Sequence, residues 1–150
     1  MDLTPSMRTA TPATLRAFAC DVADLSLALE SGPDYHTLRK HLNTIRAGGN
    51  PDIDAKYPSP TLRMATHARN LAASSDPKDI FPLVEEYKHC VSIAERFRNS
   101  LAPIRDNSTL YRQKYEDDDD SFNSTCRRYS GITHNALFAL LAKHFPEVAA

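Results

Sequence analysis

Basic side chains recur at helical spacing near the middle of the sequence, and they are the residues best suited to contact a charged partner. At about 100° per residue they fall within about 120° of one face of a helix. No acidic residue interrupts positions 35–51. The residues on this face are His36, Arg39, Lys40, Asn43 and Arg46. Such a face can contact phosphates, dock on an acidic protein surface, or simply be solvated.

Two further arginines, Arg63 and Arg69, follow on the next predicted helix. Together with the five residues above they form the basic stripe, a candidate site for binding a partner or phosphates. The sequence leaves the three interpretations of the stripe open. If it binds a partner, replacing Arg39, Lys40 and Arg46 by Glu is expected to abolish binding and leave the fold intact.

An acidic run follows the basic stripe and could serve as a second contact. It consists of Glu116, Asp117, Asp118, Asp119 and Asp120. An EF-hand loop needs Gly at its sixth position and Glu at its twelfth. Counting from Asp119 places Ser124 and Ser130 there, so we predict no calcium loop. The run is expected to be either a solvated loop or an acidic contact loop that docks on the basic stripe of a neighbouring subunit.

Cysteine and histidine residues do not form a recognisable catalytic or metal-binding pattern. Cys90 lies on an apolar helix face, which predicts a buried structural thiol. Cys126 precedes two arginines that would favour its thiolate, but it shares a face with Phe122 and Tyr129. None of the six histidines has another four residues away, the spacing that grips a metal from one helix face. We therefore predict no catalytic residues, no metal and no cofactor.

The elements that must position these side chains are all predicted to be helices. Apolar residues recur at intervals of three and four, as in Leu38, Leu42 and Ile45, and no segment alternates as a strand would. The fold class is therefore all-α, one compact domain of six or seven amphipathic helices in an orthogonal or bundle-like arrangement, with no sheet. The domain is predicted to span residues 11–150, after a flexible arm at 1–10.

Capping residues and prolines in the sequence predict where the helices begin and end. Thr11-Pro12, Ser59-Pro60 and Thr133 predict helix starts, and Asp34 can cap a second helix. The longest helix is predicted over about 82–101 and is expected to end before Pro103. Shorter helices are predicted around 108–116 and 122–129. The apolar faces of the longest and the last helix include Phe97 and Phe138, which are expected in the core.

Length and charge restrict the class of function. The chain has 150 residues, 18 basic against 19 acidic, and a net charge of −1, which excludes a uniformly basic nucleic-acid protein. The charge is segregated, since residues 35–75 contain six basic and two acidic side chains. No stretch is long and apolar enough for a membrane span. The three cysteines are odd in number and the sequence has no recognisable signal peptide. Both features predict that the protein is located in the cytoplasm or another reducing intracellular compartment.

These features favour a non-catalytic helical module for protein–protein interaction, such as an adaptor, a regulator or an assembly subunit. The alternative is a nucleic-acid-binding protein that contacts phosphates through the helices near 35–47 and 60–73. A homo-oligomer is a further interpretation, because several aromatic residues flank the acidic run. They would either complete the core or form an interface, and they are Tyr111, Tyr115, Phe122 and Tyr129.

Overall fold

Three helices begin where the sequence places a hydroxyl beside a proline, at Thr4-Pro5, Thr11-Pro12 and Ser59-Pro60. The computed structural model describes residues 2–30, 32–53, 59–106 and 128–149, without the side chains of 102–106 and 148–149. Its longer helical elements are α1 (Pro5–Arg8), α2 (Pro12–Ser26), α3 (Gly32–Arg46), α4 (Pro60–Ser74), α5 (Ile80–Asp106) and α6 (His134–His144). Short 3₁₀ turns occupy Leu27–Leu29, Pro77–Asp79 and Pro146–Ala149. These residues contain no strand, and the all-α prediction is confirmed.

The predicted caps are made by side-chain oxygens. Thr11, Ser59 and Thr133 each accept a hydrogen bond from the backbone N–H three residues later, at the starts of α2, α4 and α6. This bond satisfies one of the amides that a helix start leaves without a partner in the helix. The proline that follows Thr11 and Ser59 has no N–H to lose at that position.

Two predicted boundaries differ from the structure. Helix α3 begins at Gly32 rather than after Asp34, and Gly32 has a φ of +64° that glycine adopts without Cβ strain. Helix α5 continues through Pro103 to Asp106, so the prediction that Pro103 ends this helix was wrong. A proline removes one main-chain hydrogen bond and can bend a helix, but it does not always end one.

The N-terminal arm is packed rather than flexible over the part that forms α1. Thr4 caps this four-residue helix, and Met7 is fully buried in the core. The backbone N–H of Ser6 also donates a hydrogen bond to the carboxylate of Glu147, near the other end of the chain. The expectation of a flexible arm over residues 1–10 overlooked Met7, because one apolar residue in a polar segment carries no periodic signal.

Helix α2 lies at the centre and packs against α3, α4, α5 and α6. Its buried residues include Leu15, Phe18 and Val22, and the buried apolar side chains of all these helices form one cluster. Phe97 and Phe138 are exceptions to the predicted core, since they are 44% and 56% exposed. Each lies at the edge of its helix's apolar face, where a small rotation of the helix decides between core and solvent.

Candidate partner-binding surface

The outward face of α3 presents one part of the basic stripe to solvent. Leu38, Leu42 and Ile45 are buried on the opposite face, as predicted. His36, Lys40 and Asn43 are exposed on the outward face. Within the described chain, Lys40 and Asn43 make no side-chain hydrogen bond or ion pair. These side chains are therefore free to contact a partner.

Arg39 and Arg46 point instead toward α2 and are held by its aspartates. Arg39 Nη1 donates to Asp24 Oδ1 at 2.6 Å, and its Nη2 donates to the hydroxyl of Tyr35 at 3.2 Å. Arg46 Nη2 lies 2.9 Å from Asp21 Oδ1 and also contacts Asp24 Oδ2. Both arginine side chains remain 38% exposed. They are thus held in ion pairs while part of each side chain still faces solvent.

Asp21 also connects Arg46 on α3 with residues of α6. His144 Nε2 lies 2.8 Å from Asp21 Oδ2, and Lys143 Nζ lies 3.7 Å from the same oxygen. Burial alone would raise the pKa of Asp21, but the hydrogen bonds from His144 and Arg46 outweigh it and lower that pKa. Asp21 is therefore a carboxylate shared by cationic residues of α3 and α6.

The two α4 arginines do not join the α3 residues. Arg63 and Arg69 are six residues apart, which places them about 120° apart around α4. Arg63 Nε donates to Glu86 Oε1 on α5 at 2.9 Å. Arg69 donates to the backbone oxygen of Pro51 and to the side chain of Asn70. The basic stripe is therefore divided into separate groups rather than brought together as one surface.

The Arg63–Glu86 pair contains a buried polar atom that has no hydrogen-bond partner. The Glu86 side chain is only 9% exposed, and its Oε2 accepts no hydrogen bond. His67 Nε2 lies 3.8 Å from Oε1. In the part of the chain that the structure describes, no group of three His, Cys, Asp or Glu residues could hold a metal ion. The arrangement is a partly satisfied ion pair.

Other predicted contacts lie outside the described residues. They are the acidic run Glu116–Asp120, Cys126, and the aromatic residues Tyr111, Tyr115 and Phe122. Tyr129 is described and buried, with its ring stacked on Phe97 at a centroid distance of 4.8 Å. Tyr129 therefore helps to cover Phe97 within the same chain.

Sequence reasoning missed Asp21, Asp24, Lys143 and His144. The two aspartates do carry a signal, since they are three residues apart on α2 and lie off its apolar face. Nothing in the sequence pairs them with residues of α3 and α6.

Comparison with protein-family models, curated proteins and solved structures found no match for this chain. Among the described helices, none is both long and apolar enough to span a bilayer.

Proposed function

We propose that the protein is a non-catalytic helical interaction module that binds a protein partner through the outward face of α3. The observation that supports this most directly is the state of Arg39 and Arg46, which are held in ion pairs by aspartates and yet 38% exposed. An arginine that is already fixed loses less side-chain entropy on binding, and arginines are enriched among residues that dominate binding energy. Lys40, His36 and Asn43 lie beside them on the same helix.

A protein partner fits this surface better than a nucleic acid. A DNA-binding protein commonly neutralises about six to ten phosphates. Two of the arginines assigned to this task are already paired with Asp21 and Asp24, and Arg63 is paired with Glu86. The acidic run 116–120, self-association and a reducing intracellular location remain parts of the proposal.

The structure changes the choice of variant for the test. Glutamates at 39 and 46 would face Asp21 and Asp24, and like charges at such distances destabilise a fold. The sequence alone predicts that replacing Arg39, Lys40 and Arg46 by Glu leaves the fold intact. In the structure, this triple variant could lose its partner through unfolding, so loss of binding would not identify the binding site. Lys40→Glu combined with Asn43→Glu changes only exposed side chains that lack described partners.

The test is affinity purification with mass spectrometry, performed with and without nuclease. The Lys40→Glu/Asn43→Glu variant is expected to lose the specific protein partner, and nuclease treatment of the wild type is expected to leave it bound. The matched control is Arg96→Glu/Asn99→Glu on α5, which has the same charge change and spacing at exposed positions. Equal recovery of the partner by both variants, or its loss after nuclease, would contradict the proposal.

A further inference from the structure

We propose that the binding surface extends from α3 across α2 to α6 and receives an acidic peptide segment of the partner, with Lys143 as a contact residue. This inference rests on the proposed function and specifies the partner's chemistry. We call this surface the cationic surface, and it consists of Arg39, Lys40, Arg46 and Lys143.

Cationic side chains of α3 and α6 converge on one carboxylate of α2. Arg46 on α3 and Lys143 on α6 approach the two oxygens of one carboxylate, that of Asp21. Residues distant in sequence are thus brought to one place. Arg39 continues the same row through Asp24, which also contacts Arg46. The row of charged groups runs across three helices without interruption.

Positive charge exceeds negative charge on this surface and lies closer to solvent. Arg39, Arg46 and Lys143 contact two carboxylates, which leaves an excess of positive charge with every histidine taken as neutral. Lys40 adds a fourth cation that makes no ion pair with the described residues. The aspartate side chains are 20% and 25% exposed, whereas Lys143 is 67% exposed. The cations therefore form the solvent-facing layer and the aspartates lie beneath them. A ligand that reaches this surface meets ammonium and guanidinium groups first.

The cationic surface has only four Lys and Arg side chains. A few spaced charges match a short peptide with several Asp or Glu residues, which can place its carboxylates individually between the cations. A nucleic-acid backbone offers a longer series of phosphates than this surface can neutralise. Attraction between partly exposed charges is screened by salt, so the affinity for an acidic peptide is expected to fall as ionic strength rises.

The test measures binding of a fluorescein-labelled oligoglutamate peptide by fluorescence anisotropy at low salt. We expect the wild type to bind and Lys143→Gln to weaken binding by about threefold or more, an effect within the range of a single partly exposed charge pair. Lys143→Gln removes the charge without placing a second acid beside Asp21. Lys88→Gln is the matched control, because Lys88 is also a helical lysine paired with one carboxylate. Unchanged urea midpoints establish that each variant is folded.

The remaining outcomes separate this inference from the proposed function. Normal binding by Lys143→Gln together with weak binding by Lys40→Glu would overturn the role of α6 and leave the α3 site standing. Absence of oligoglutamate binding by the wild type would overturn the acidic-peptide assignment, while partner recovery in the purification experiment is judged independently. Tighter binding of a single-stranded oligonucleotide than of the peptide would also overturn the assignment.

Discussion

At the scale of single residues, burial disfavours the reaction of the two described thiols. Cys20 and Cys90 are both fully buried. Burial raises the pKa of Cys20 to about 11 and that of Cys90 to about 12, because an apolar surrounding disfavours the thiolate. The thiolate is the nucleophile, so neither cysteine is suited to covalent catalysis.

We predict that native Cys20 and Cys90 resist alkylation. With a pKa of about 11, only about one thiol in a thousand is ionised near pH 8, and burial also blocks the reagent. In a Cys126→Ser variant, intact mass after iodoacetamide treatment should show no adduct in buffer and two adducts in guanidinium chloride. An adduct that forms rapidly on the folded protein would contradict the burial of these thiols.

The burial or exposure of a single residue was predictable from the sequence where the spacing of apolar residues defines the two faces of a helix. Cys90 lies on an apolar face, and Lys40 lies opposite Leu38, Leu42 and Ile45, so burial and exposure follow from helix geometry. Arg39 and Arg46 lie at the flank of α3, where the neighbouring helix decides their state. Their aspartate partners lie 15 to 25 residues earlier, and helix periodicity holds no information on such contacts.

At the scale of elements, Asp21 joins three helices. It receives contacts from Arg46 on α3 and from Lys143 and His144 on α6. The His144 ring also meets Phe18 of α2 edge to face, with centroids 5.8 Å apart. A polar contact and an aromatic contact thus hold α6 against α2 at the same place. Loss of Asp21 should weaken the attachment of both α3 and α6.

We predict that Asp21→Asn lowers the free energy of unfolding by about 1.5–3 kcal/mol near neutral pH, as expected for hydrogen bonds to a charged group. The folded-state pKa of Asp21 lies below its usual value of 3.8. Its stabilising contribution is therefore fully present above that value and is lost as the pH falls through the folded-state pKa. Urea unfolding near pH 7 and near pH 3 should show a difference between wild type and variant that shrinks in acid.

Asp52→Asn provides the control for this pH experiment. Asp52 is exposed and makes no ion pair with any described residue. Its replacement should change the free energy of unfolding by less than about 0.5 kcal/mol at either pH. A loss for Asp21→Asn that is equally large in acid would show that packing, rather than the carboxylate charge, attaches the three helices.

Helix starts were predictable where a side chain caps the helix. A start is fixed by local chemistry, as with Thr11, Ser59 and Thr133, whose side chains cap the amides that follow them. The end of α5 is different, because a proline removes one main-chain hydrogen bond without always ending a helix, and α5 runs through Pro103 to Asp106. The orientation of Phe97 and Phe138 likewise depends on how α5 and α6 settle on their neighbours.

At the scale of the whole molecule, the two ends of the chain come together. Helix α1 contacts the 3₁₀ turn Pro146–Ala149, and Ser6 is bonded to Glu147. Met7 belongs to the same buried cluster as residues of α2, α4, α5 and α6. The first residues of the chain therefore help to close the core. The all-α class was predictable from the spacing of apolar residues, but this closure was not, because it depends on contacts between opposite ends of the sequence.

The packed N-terminus leads to a prediction that separates it from a flexible arm. Met7→Ala should lower the free energy of unfolding by about 2–5 kcal/mol, the usual cost of removing a fully buried methionine side chain. Arg8→Ala in the same short helix is the control and should cost about 0.5 kcal/mol, since Arg8 is exposed. Both values come from urea unfolding followed by circular dichroism. If the arm detached readily, the two substitutions would cost equally little. A large loss confined to Met7 would mean that residues before α2 are needed to complete the core on which α2 and its Asp21 are placed.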